Sequence, residues 1–341
     1  VIDFRYHLVS IVAVFLALAI GIVLGSTELQ GPAYNLLDKT TSKLQSELGQ
    51  VSSQRDTAQQ QATEGEMYAQ AVEPTVLHDL LTGQRLLIVT EPGAQSSVVS
   101  GISSAALAAG ASITGQINLA TKFFDSSGTA QDSLNQTTLD VAQAAGLQLD
   151  SSATYQQQAA QVIASEILDK ASSTGKPPAD QVTEASTMLQ AYAASQFLST
   201  TGQPASPATL VVVVTPQNPP SDGSADQLDQ VLIPLVTELA AKSSATVVVG
   251  SSAGSGAGSP IAVLRSNNLS SQVSTVDDAD LVAGQTVAMQ ALAVGLAGGK
   301  AGSYGFTANG ASAIAPSPAP TPSGSASATP TSSTTKKKVR K

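Results

Sequence analysis

The sequence predicts a mixed α/β protein with an N-terminal single transmembrane helix and coiled-coil stalk, then a doubly wound, mostly parallel sheet domain with a helical insertion. Three observations carry this expectation. Residues 8–24, LVSIVAVFLALAIGIVL, are apolar apart from Ser10 and Gly21. Apolar side chains then recur every seven positions from Leu37. Beyond residue 76, short Val, Ile and Leu runs alternate with helical stretches, the pattern of parallel strands buried on both faces. The expected divisions are an anchor over 1–27, a stalk over 28–72, an extracytoplasmic α/β domain over 73–310 and a tail over 311–341.

As a helix, the run over 8–24 rises roughly 26 Å, close to the ~30 Å hydrocarbon core of a bilayer. Phe4, Tyr6 and His7 fall where interfacial side chains lie, and Ser26, Thr27 and Glu28 return the chain to water. A cleaved signal peptide is the competing reading, because Ala17-Leu18-Ala19 has the small-x-small form. Cutting there would strand Ile20 and its apolar neighbours on the mature chain, so a retained single-pass anchor is expected. Arg5, offset by Asp3, places the N-terminus in the cytoplasm by the positive-inside rule.

Gly31-Pro32 should break the helix before a polar helical segment over 33–66. Leu37, Leu44, Val51 and Ala58 repeat every seven residues, and Thr41, Leu48, Arg55 and Ala62 lie four further on. This seam, weakened by Gly49 and Arg55, predicts self-association of the stalk as a homodimer through Leu37, Leu44, Leu48 and Val51, with a lone solvated stalk as the alternative. A short helix over 76–81, closed by Gly83, leads to strands at 85–90 (RLLIVT) and 111–119 (ASITGQINL) around a helix at 97–109. Three helices follow, over 130–145, 155–172 and 179–198, the last two separated by Lys176-Pro177-Pro178. Strands at 209–215 (TLVVVVT), 245–250 (ATVVVG) and 273–276, with helices at 225–242 and 283–297, complete the alternation.

Composition narrows the function classes. The 341 residues contain no cysteine, which rules out disulfides, thiol catalysis and thiolate metal cages. Charged residues are only 12%, with a net charge of −9, so nucleic acid is not an expected partner. Residues 311–335 are almost wholly Ala, Pro, Ser, Thr and Gly and should not fold. Lys336-Lys337-Lys338-Val339-Arg340-Lys341 then forms a basic tip, able to hook an anionic surface or to act only as a solvated tail.

In a doubly wound sheet a ligand sits off the C-terminal strand ends. Gly250-Ser251-Ser252-Ala253-Gly254 matches a nucleophile elbow, yet no histidine follows it, since the chain holds only His7 and His78. The same loop lacks the Lys-Ser/Thr ending of a P-loop, and no enzyme activity is expected. Asp277, Asp278 and Asp280 could hold Mg²⁺ or Ca²⁺, or could simply cap the next helix at the positive end of its dipole. Copper prefers sulfur or imidazole, and Met67, Met188, Met289 and the two histidines are far apart, so no metal site or cofactor is evident from the residues. The strands are few, continuous and interleaved with helices, unlike those of a membrane β-barrel.

Several stretches together are similar to a known family. His7-Leu8-Val9-Ser10 leads into Ala13-Val14-Phe15-Leu16-Ala17-Leu18-Ala19 and closes on Gly21 and Gly25-Ser26. Gln54-Arg55-Asp56, His78-Asp79 before Gly83, Ser274-Thr275-Val276-Asp277-Asp278 and Tyr304-Gly305 continue the likeness. The chain to about Phe306 thereby resembles the actinobacterial copper transport protein B (MctB) family. That resemblance implies copper efflux and copper homeostasis in the cell envelope, with copper as the only metal it brings in, and an outer-membrane label. It also implies a possible role in cell division, in a membrane complex with a partner that governs peptidoglycan hydrolysis. A non-enzymatic envelope scaffold is therefore the alternative expectation.

Overall fold

A computed structural model of the chain describes residues 4–170, 179–202, 207–217, 225–252, 259–266 and 268–305. It divides into two units, Val1–Met67 and Tyr68–Lys341. The expected separator Lys176-Pro177-Pro178, the glycines after Ala253 and the whole tail lie outside the described residues.

The first helix, α1, runs without interruption over Phe4–Leu77, 74 residues. This corrects the expected break at Gly31-Pro32. An interior proline removes one backbone hydrogen bond at a cost of about 3 kcal/mol, which the bonded turns on either side can absorb. Phe4–Gly25 is the one stretch among the described residues long and apolar enough to cross a membrane, and none of it is buried. The short helix expected over 76–81 is likewise part of α1 only as far as Leu77. Asp79 (φ 59°) and Gly83 (φ 78°) then turn the chain into the sheet.

Seven strands form one sheet: β1 (Arg85–Thr90), β2 (Ser112–Leu119), β3 (Leu198–Thr201), β4 (Leu210–Val214), β5 (Ala245–Val249), β6 (Ser274–Val276) and β7 (Ser303–Tyr304). Their order is β3-β2-β1-β4-β5-β6-β7, parallel throughout except where β3 pairs antiparallel with β2. Strand order reverses between β1 and β4, which lie side by side with Ile88 opposite Val212.

The helices are α2 (Ser96–Ala108), α3 (Gly128–Ala145), α4 (Tyr155–Ile167), α5 (Ala179–Ala194), α6 (Ala225–Lys242), α7 (Pro260–Ser266) and α8 (Val282–Leu296). Alternation along each strand sorts its side chains into two separate cores. Leu86, Ile88, Val212 and Val249 enter one, with Leu77 and Leu81 and the inner faces of α2 and α8. Leu87, Val89, Val213 and Val248 enter the other, with residues of α3 to α7. In that second core Tyr192 is fully buried, and its hydroxyl shares a 3.0 Å hydrogen bond with the Thr138 hydroxyl.

Five further elements differ from the sequence expectation. The helix expected to reach residue 198 ends at Ala194, and Gln196 (φ 62°) redirects the chain into β3, an edge strand exposed beyond Leu198. The elements α7 and β7 have no counterpart in the sequence expectation, because seven-residue and two-residue segments carry too little periodicity to read. The helix expected to run to 172 stops at Ile167, where Leu168 bridges to Ala208.

Ile88 lies in a central strand, belongs to the first of the two cores and is 1% exposed. Replacing it with alanine is expected to lower the unfolding free energy by about 3 kcal/mol, the usual cost of such a truncation. Urea unfolding of the full chain, followed by far-UV circular dichroism, measures the loss.

Candidate functional site

At the reversal in strand order, the loops after β1 and β4 meet. Gly93 (φ 88°) packs on Pro216, the Gln217 amide donates to the Gly93 carbonyl, and the Gln95 side-chain amide donates to that of Gln217. Thr90 donates to Asn118 at 2.8 Å, tying β1 to β2 at the same end. These contacts join the loops at the strand ends where sheets with such a reversal most often take ligands.

The acidic loop after β6 is organised by a residue that the sequence reading did not single out. Arg265, in the last turn of α7, donates to the Asp277 carboxylate at 2.7 Å, to the Thr275 hydroxyl at 2.9 Å and to the Tyr304 carbonyl at 2.6 Å. Both charged side chains are buried, Arg265 at 7% exposure and Asp277 at 0%. A guanidinium suits this position because its planar fork can serve three acceptors at fixed angles. The Asp277 amide also donates to the Tyr304 carbonyl, so one arginine joins α7, β6 and β7. The signal in the sequence is that Arg265 is the only Lys or Arg between Lys242 and Lys300, in a stretch with three aspartates.

The three aspartates therefore separate in role. Asp277 faces Arg265. Asp280 accepts from the Ser252 amide and hydroxyl, both at 2.9 Å, which fixes the start of the loop after β5. Asp278 is 2% exposed and its Oδ1 has no hydrogen-bond partner. Burial first, and then the neighbouring Asp277 and Asp280 charges, push its carboxyl up to about 6. Among the described residues, no group of three His, Cys, Asp or Glu side chains is placed to hold a metal ion. Nor does an aspartate cap the following helix: the N-cap of α8 is Leu281, without a side-chain cap bond. Two glycines make the packing possible, since a Cβ at Gly284 would overlap the Asp278 carbonyl and one at Gly305 (φ 129°) would overlap the Asp277 carboxylate.

The remaining candidates lie elsewhere. Ser251 is buried and Ser252 is engaged with Asp280. His78 is exposed in the turn after α1, 3.1 Å from Asp79. On α1, the seam residues Leu37, Leu44, Leu48 and Val51 are all more than half exposed.

The fold and its acidic loop define a class: a chain with, among the described residues, one membrane-length helix and a mixed α/β domain whose last strands are locked by a buried ion pair. Known proteins make this specific. A family profile described as "Copper transport outer membrane protein, MctB" matches residues 1–316, and the chain belongs to that family. It is 27% identical over 318 residues to proteins named copper transporter MctB from Mycobacterium tuberculosis and Mycobacterium bovis, covering 92% of this chain and 98% of theirs. The protein of that name from Mycobacterium leprae is 26% identical over 321 residues, with the same coverage.

Two measurements test the loop. Arg265→Met leaves the Asp277 charge buried without its partner and is expected to cost about 3–5 kcal/mol, whereas pairing it with Asp277→Asn recovers much of that loss. Asp278 has the opposite sense to a salt-bridged carboxylate. Its folded value lies above the unfolded 3.8, so its ionisation weakens the fold, with no penalty below about pH 4 and the full penalty above about pH 6. Asp278→Asn is expected to raise stability by about 2–3 kcal/mol at pH 7.5 and to change it little at pH 4, as read from urea midpoints at the two pH values.

Proposed function

We propose that this protein is a single-pass, non-enzymatic cell-envelope protein of copper efflux and homeostasis. Its amino terminus lies in the cytoplasm and its doubly wound α/β domain is extracytoplasmic. The observation that carries this reading is the family match over residues 1–316, supported by relatives named as copper transporters over almost their whole length. Copper enters from those names, as cargo. The chain's own soft donors are three methionines and two histidines, with no cysteine. One membrane-length helix cannot enclose a pore, because a pore needs several helices or a closed barrel. The protein then acts on copper by assisting an envelope assembly.

An exposed apolar seam on a helix favours a second reading, a scaffold that works through self-association and a membrane partner. Leu37, Leu44, Leu48 and Val51 recur at heptad spacing on α1 and are each 53–69% exposed. Side chains of this kind stabilise a helix pair when buried against their counterparts, so a coiled-coil homodimer is the proposed state. In this reading the dimer recruits a division partner that controls peptidoglycan hydrolysis.

One experiment separates the two. A clean deletion strain is grown across a copper series and its septa are imaged, with complementation by the wild-type gene and by a Leu44→Asp/Leu48→Asp variant. Copper hypersensitivity, restored by the wild-type gene, supports copper homeostasis, and unchanged copper tolerance overturns it. Septal defects restored by the wild type but not by the double variant support the scaffold. Normal septa throughout count against it.

A further inference from the structure

A groove of about 310 Å³ opens between α3, α4 and α5. Its floor includes Val141, Met188 and Ala191, and its rim carries Asp140, Glu166 and Glu184. Among the described residues, no lysine or arginine lines it. Among the described residues, none of the three carboxylates is in an ion pair. Asp140 accepts only a neutral amide hydrogen bond, from Gln136 at 2.8 Å.

The backbone adds to the negative field. α3 ends at Ala145 and α4 at Ile167, beside the groove, and neither has a basic residue in its last turn. Glu166 itself lies in the last turn of α4, the negative end of the helix dipole, where a cation would be favoured. Burial and the Glu184 charge both raise the Glu166 carboxyl above its ordinary value, the sign of a repulsion that an incoming cation relieves. An apolar floor ringed by three carboxylates fits a cation with an aliphatic stem, which is to say a lysine or arginine side chain.

We infer that the groove between α3, α4 and α5 is the docking site of this chain's own basic segment, Lys336–Lys341. That segment holds five of the protein's sixteen Lys and Arg residues within six positions, together with Val339 for the floor. Reach is sufficient. Seven strands spaced about 4.8 Å apart put β7 roughly 29 Å from the β3 edge, on whose side α5 packs. Thirty residues separate Gly305 from Lys336, and a linker of that length has a root-mean-square reach of about 30 Å. Tethering at that length gives an effective concentration in the millimolar range, so a contact too weak to hold a free peptide closes within one chain. Occupied, the groove masks the cations that would otherwise meet an anionic lipid surface.

The absence of cysteine makes the test direct. Full-length protein in zwitterionic nanodiscs carries spin labels at Gln143→Cys, on the exposed face of α3, and at Ser332→Cys, and the label distance is measured by pulsed electron paramagnetic resonance. A short-distance population is expected at low salt. It should fall at least about threefold in 0.5 M salt, where the Debye length drops below ~5 Å. The same fall is expected when Lys336, Lys337, Lys338, Arg340 and Lys341 are changed to glutamine, and in Glu166→Gln/Glu184→Gln. A distribution unchanged by the tail substitutions overturns the proposal. So does a short distance seen only when the labels are on different chains, or a tail held away from α3 regardless of salt. The tail variant leaves the folded domain untouched, so the result does not depend on how the glutamate variant folds.

Discussion

Everything in the sheet domain follows from strands that have no water-facing side. β1, β4 and β5 bury almost every side chain they carry, so each needs helices against both faces. A parallel arrangement meets that need, because each crossover lays a helix on the sheet as it returns to start the next strand. The two cores that result share no side chain. Successive residues of one strand point into opposite cores, so a register slip of one position would exchange all of them at once.

The same constraint explains where polar chemistry is found. With the middle of the sheet closed to water, buried polar groups gather at strand ends and must satisfy one another. Arg265 does this for the short strands β6 and β7, which have three and two residues and little apolar area of their own. Its three donors reach a carboxylate, a hydroxyl and a carbonyl, so the ion pair contributes position as much as energy. Replacing such a pair by apolar side chains is often neutral for stability, which suggests that its value here lies in fixing the edge of the sheet. The Ser274-Thr275-Val276-Asp277-Asp278 stretch is, in this light, a structural joint: Thr275 and Asp277 grip Arg265, and the Asp278 carboxyl is packed beneath α8 against Gly284.

Much of this was legible in the sequence. The membrane-length run, the strands at β1, β2, β4 and β5 and the helices between them are long, periodic and compositionally distinct. The acidic triplet was legible as a place but not as a function. A local cluster of aspartates reads the same whether it binds a cation, caps a helix or meets an arginine from another element. The edge strand β3 was hidden because Leu198 to Thr201 adjoins a strong helical pattern and ends only through the left-handed turn at Gln196. The acidic groove was invisible for a related reason, since Asp140, Glu166 and Glu184 come from three helices whose charges look, one at a time, like ordinary solvated faces.

What the sequence determined by itself is what depends on neighbours along the chain: helix length, hydrophobic run, strand alternation and the lack of cysteine. Those are set by short-range sterics and by burial periodicity, which one strand or helix expresses alone. Only the tertiary structure decided that a lone arginine closes on Asp277 from twelve positions away, and that Asp278 is buried with an unpaired oxygen. Those outcomes depend on the free energy of groups brought together from different elements, and no local pattern records which partner each will meet.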